Sequence, residues 1–131
     1  MKHIAKIAAV LLLLTTFAFA QPAGAVINVP THTKLIPSKT KIHAGNVVKF
    51  KVVLKADQKA CKAHMKIKLY MDGKKVAKKK TNKKGKVVFQ RHPKKTAKWQ
   101  AKFPGKKLET HPERTNCQPS KSKKKTVKVI S

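Results

Sequence analysis

The sequence predicts an all-β fold, a two-sheet antiparallel sandwich of about seven strands. Three observations lead there. Apolar residues recur at every second position through most of the chain after residue 30, turn residues separate these runs at regular intervals, and no stretch carries a sustained helical period.

Taken in order, "TKLIPSKTKIHAGN" reads as an edge strand, because Pro37 interrupts it and proline cannot donate to a sheet ladder; Gly45 closes it. In "NVVKFKVVLK", Val48, Phe50, Val52 and Leu54 share one face, with Lys49, Lys51, Lys55, Val47 and Val53 on the other. "MKIKLYM" repeats the pattern, with Met65, Ile67, Leu69 and Met71 inward and Lys66, Lys68 and Tyr70 outward. Asp72-Gly73 supplies a two-residue hairpin turn, whose central positions need positive φ. "KVAKKKT" is a short charged strand, "NKKG" a turn, and "KVVFQR" a strand with Val87 and Phe89 inward. "TAKWQAKF" places Ala97, Trp99, Ala101 and Phe103 on one face before Pro104-Gly105 stops it, which makes Trp99 a core residue rather than a stacking platform. The last strand, "TVKVI", buries Val127 and Val129.

Ahead of these strands, "MKHIAKIAAVLLLLTTFAFA" has a basic start and an apolar run, and ends in an Ala18-x-Ala20 pattern. These are the marks of a signal peptide over residues 1–20, with Ala23-Gly24-Ala25 offering a later cleavage point at 25. The apolar run falls short of the ~20 residues a membrane-spanning helix needs, which weighs against a retained anchor. Residues 21–30 are expected as a flexible N-terminus and 31–131 as one folded domain, secreted and extracellular or associated with the cell envelope. Cys61 and Cys117 then sit in an oxidising compartment, where a disulfide is the default. The competing reading is a metal site from Cys61-x-x-His64, which lacks a second pair at zinc spacing.

The order of turns and strands resembles a family. Gly45 precedes the second strand, Asp72-Gly73 follows the third, Thr81 to Gly85 gives a T-x-x-x-G turn, and Ser122 leads to a closing strand through Val129. This sequence is similar to the bacterial immunoglobulin-like domains of secreted and surface proteins, and to the related transthyretin-like regulatory modules. The resemblance implies an immunoglobulin-like sandwich over 31–131. It also implies that "MKIKLYM" and "TVKVI" flank the Trp99 strand in one sheet, so that the loops carrying Cys61 and Cys117 meet at one end. The matched motifs specify turns and carry no chemistry.

The charge is the remaining signal. The chain has 33 Lys and Arg against four Asp and Glu, a net +29; losing Lys2 and Lys6 with the leader gives +27. Only Arg91 and Arg114 are arginines, so the coat is lysine. Lysine is a mobile point charge, suited to sequence-blind attraction to a polyanion rather than to bidentate base reading. Alternation lets lysine fill the solvent face of every strand, and lysine on edges blocks sheet-to-sheet aggregation; either explains a single charge run. Solubility alone needs a net charge of only about 2 to 8.

The expected binding residues are Lys66, Lys68, Lys98 and Lys102 as a strip on one sheet, with Lys74, Lys75, Lys78, Lys79, Lys80, Lys83, Lys84 and Lys86 around the hairpin. The expected partners are anionic polymers, whether cell-wall polymer, nucleic acid or acidic polysaccharide, with an anionic membrane surface as a further candidate. A monomer is expected.

Catalysis is not expected. Asp57, Asp72, Glu109 and Glu113 are sparse, Asp72 serves its turn, and no serine sits in a nucleophile elbow. His32, His43, His64, His92 and His111 are scattered as surface histidines, with copper or zinc binding the lesser reading, and no cofactor is expected. Two other functions fit the charge: a cationic antimicrobial protein that perturbs membranes, though no amphipathic helix is present, and an adhesion module contacting another protein through its sheet edges.

Overall fold

A computed structural model describes residues 26–109 and 114–130; the expected leader, residues 21–25, His111 and Glu113 lie outside this range. The described chain is all-β apart from one short 3-10 turn at Lys59–Cys61. Its strands are β1 (Val26–Val29), β2 (Thr31–Pro37), β3 (Lys41–His43), β4 (Val48–Ala56), β5 (Lys66–Met71) and β6 (Lys74–Lys80). They continue with β7 (Lys86–Arg91), β8 (Ala97–Phe103), β9 (Lys106–Leu108), β10 (Arg114–Cys117), β11 (Ser120–Lys121) and β12 (Lys125–Ile130).

These strands form three sheets. One runs β2-β4-β7, one runs β3-β12-β8-β5-β6 with β11 also on β8, and a small one runs β1-β10-β9. The expectation of two sheets and about seven strands therefore undercounts. Pro37 ends β2 instead of merely interrupting an edge strand, and the chain crosses to the larger sheet, where β3 pairs in parallel with β12. The small sheet has no apolar alternation to announce it. Its strands are held by one another and by Cys117, so partners rather than composition define them. Residues 26–29, placed by the sequence reading in a flexible N-terminus, form β1 in this sheet, and Val29 is buried.

The core follows the predicted parity closely. Val48, Phe50, Val52 and Leu54 of β4 are buried against Ile67 and Leu69 of β5, Trp99, Ala101 and Phe103 of β8, and Val127 of β12. Met71 and Val129 are half-buried at its margin. Phe50 and Trp99 stack with ring centroids 4.5 Å apart, joining the inward faces of the two larger sheets.

Cys61 and Cys117, both fully buried, form a disulfide with Cα atoms 5.4 Å apart, within the ~4.4–6.8 Å range such bridges require. As the resemblance implied, β5 and β12 lie on either side of β8. The bridge ties the 3-10 turn before β5 to the end of β10, and so fastens the small sheet to the rest.

Two turns explain themselves chemically. Asp72 and Gly73 have φ of 48° and 84°, as a two-residue hairpin turn demands, and the Asp72 carboxylate accepts the Lys98 backbone N–H at 2.8 Å. In the T-x-x-x-G turn, the buried Thr81 hydroxyl accepts the Met65 N–H at 2.9 Å and donates to the Lys62 carbonyl at 2.6 Å. Gly85 takes φ of 80° and receives the Leu54 N–H on its carbonyl at 2.8 Å.

Candidate lysine-rich binding face

Residues directly opposite one another in an antiparallel pair share a face, so the register of the larger sheet decides which lysines meet. Lys66 lies opposite Lys80, and Lys68 lies opposite Lys78 on one side and Lys102 on the other. Lys102 in turn lies opposite Lys121 of β11. The row Lys78–Lys68–Lys102–Lys121 thus crosses four strands, with a spacing of about 4.8 Å between neighbouring strands.

A β-bulge adds to this row. The register shifts between Leu69 and Tyr70, leaving Val76 without a counterpart and setting Lys75 opposite Tyr70. Had strict alternation continued from Ala77, Lys75 would point the other way; the bulge turns it to the lysine side. A groove of about 420 Å³ results, walled by Lys66, Lys68, Lys75, Lys78, Lys80 and Lys106, with His64 at its rim. His64 itself adopts φ of 57°.

Tyr70 and Lys102 are half-buried in the middle of this face, and the Lys102 ammonium sits 4.4 Å from the Tyr70 ring centroid. A cation in that position is drawn to the ring's negative face. Among the described residues, the one ion pair is Arg114 with Glu109 at 3.2 Å, both exposed. None of the lysines in the row has a carboxylate partner there.

The other expected binding residues are placed elsewhere. Lys98 stands on the same sheet but further along β8, where it lines a separate small hollow with Asp72, Gln100 and Lys124. Lys74 lies opposite Met71 beside the hairpin turn. Lys79 lies opposite the buried Ile67, on the inward parity of edge strand β6, and its ammonium donates to the Val88 carbonyl of β7 at 3.0 Å. It bridges two sheet edges. Lys83 and Lys84 occupy the turn before β7, where the Asn82 side-chain oxygen accepts the Lys84 and Lys86 N–H groups. Lys86 belongs to the smaller neighbouring sheet, opposite Val53.

The register also recruits lysines that sequence reasoning missed. Lys106 and Lys121 sit on β9 and β11, short strands whose own residues carry no alternation, so only the pairing of β11 with β8 reveals Lys121. The Cys61 sulfur is committed to Cys117, which removes the Cys61-x-x-His64 metal reading. No cluster of three or more potential metal ligands occurs among the described residues, and His92 instead pairs its Nδ1 with the Gly45 carbonyl at 3.2 Å. Among these residues, no helix is long and apolar enough to cross a membrane. Comparisons with protein-family models, with curated proteins and with solved structures return no match for this chain.

Proposed function

We propose that this chain is a secreted, non-enzymatic, immunoglobulin-like module that attaches by charge to anionic polymers: cell-wall polymer, extracellular DNA or acidic polysaccharide. The observation that carries the reading is the register. Lysines stand opposite lysines across four neighbouring strands, without a carboxylate among them in the described chain. Like charges so placed destabilise a sheet, and a polyanion laid along the row would relieve each pair at once. The disulfide is compatible with an extracellular location, and two larger sheets sharing one core are compatible with an immunoglobulin-like sandwich.

Counterion release supplies the test. The logarithm of affinity for polyphosphate should fall linearly with the logarithm of salt concentration, by about 0.7 to 0.9 per neutralised charge. Replacing Lys66, Lys68, Lys78 and Lys80 together with glutamine should flatten that slope by roughly three units. The same replacement at Lys74, Lys79, Lys83 and Lys84 should flatten it less. Salt-insensitive binding, or equal slopes for the two variants, would overturn the assignment of the face.

A further inference from the structure

The lysine groove has an apolar neighbour. Beside it lies a hollow of about 360 Å³ walled mostly by carbon, with Tyr70, Phe103, Pro104 and Pro119 forming its sides. Lys68, Lys102 and Lys121 border the same hollow, and these three are consecutive members of the cross-strand row. Lys68, Phe103 and Pro104 also wall the groove, so the two depressions adjoin.

We propose that this hollow is a ring-binding subsite, and that the polymer it takes is an acidic polysaccharide whose carboxylate or sulfate is carried on the sugar ring. The inference rests on the anionic-polymer reading above and narrows it. The hollow lies at the lower end of the size range for ligand sites, about 300–1,000 Å³, which suits a ring or two rather than a duplex.

Its chemistry places apolar surface and positive charge on the same residues. Lys68, Lys102 and Lys121 line a hollow that is mostly apolar, and a lysine can cover apolar surface with its stem while carrying a charge at its tip. A uronate or sulfated sugar matches that arrangement, because its C–H face and its charge belong to one ring. In a nucleic acid the charge lies on the phosphate and the flat ring is a sugar away. A polyol phosphate offers no ring at all.

Base stacking also needs an open aromatic face. Tyr70 is the chain's only tyrosine, and one face of its ring holds the Lys102 ammonium at 4.4 Å. The same contact sets that ammonium beside the hollow, where a ring-borne anion would meet it.

The test compares polygalacturonate fragments, polyphosphate of matched charge and single-stranded poly(dT), titrated into the whole mature protein at low and raised salt. Tyr70→Ala removes one wall of the hollow and the ring beneath the Lys102 ammonium, so it should weaken polygalacturonate binding about tenfold and polyphosphate binding by less. In the unaltered protein, the Tyr70 ring resonances should shift with polygalacturonate and stay in place with polyphosphate, a readout independent of how well the variant folds. Equal Tyr70 shifts or equal losses for all three polymers would overturn the ring subsite while leaving the charge reading intact. A selective shift with poly(dT) would put a nucleic acid in the hollow instead. Failure of every polymer to bind even at low salt would remove both readings.

Discussion

Gly85→Ala should destabilise the fold by about 2–5 kcal/mol, well beyond a generic turn substitution. Gly85 holds φ of 80°, where an L-residue with a Cβ is disfavoured by roughly 1–2 kcal/mol. A methyl group there would run into the Leu54 carbonyl oxygen and come within 3.1 Å of the Lys62 Cβ. Leu54 is fully buried on the middle strand of its sheet, so its backbone has little room to yield. The displacement must open the 2.8 Å bond from the Leu54 N–H to the Gly85 carbonyl, and leaving a buried backbone group unpaired adds about 1–3 kcal/mol. At roughly 4–8 °C per kcal/mol for a domain of this size, the thermal midpoint should drop by about 8–40 °C. Gly73 provides the internal control: its φ is 84°, but a Cβ there would meet nothing within 4 Å. Gly73→Ala should therefore show only the conformational part, about 1–2 kcal/mol. Parallel urea melts of the two variants measure the difference directly. Equal losses would refute the close approach of the Gly85 turn to β4.

Two further outcomes concern the same end of the molecule. Replacing both Cys61 and Cys117 with serine frees a loop with a sequence separation of 56, which in the chain-entropy model destabilises by about 4 kcal/mol; a calorimetric midpoint unchanged by the double replacement would contradict it, and added salt should restore part of the loss by screening the lysines. Thr81→Ala leaves the Met65 N–H and the Lys62 carbonyl without their shared hydroxyl, at about 1–3 kcal/mol. Thr81→Ser should recover most of that in a denaturant melt, since the hydroxyl rather than the methyl makes both bonds.

The core was legible because alternation is a local property that burial enforces. Every apolar residue read inward on β4, β5, β7, β8 and β12 is buried or half-buried. The Asp-Gly signal held for an equally local reason, since it fixes its own backbone conformation, whereas the T-x-x-x-G turn kept its Gly85 φ but rests on the distant Met65, Lys62 and Leu54 backbones. What escaped was structure defined by partners. Arg114–Cys117 and Val26–Val29 are strands because they lie beside one another and because the disulfide anchors one of them, and neither segment alternates polar with apolar. Pro37 showed that an edge would break. It did not show that the chain would resume on a different sheet, because that choice rests on β12, far along the chain, where Lys128 lies opposite Lys41.

The candidate face was half legible for a related reason. Counting lysines located the hairpin, but a single bulge at Leu69/Tyr70 decides that Lys75 joins the face, while the pairing with Ile67 takes Lys79 off it. Composition cannot distinguish a coat of lysines from a row, and the difference is energetic. The row contains the opposed pairs Lys78–Lys68, Lys68–Lys102 and Lys102–Lys121, and Lys66–Lys80 stands beside it. At roughly 0.2–1 kcal/mol each, four such pairs oppose folding by about 1–4 kcal/mol, comparable to what closing the Cys61–Cys117 loop contributes, about 4 kcal/mol. A chain needing only solubility could spread its lysines among carboxylates and avoid that repulsion. Concentrating them in register makes the empty face the strained one, and an anion along the row would turn the same repulsion into binding energy.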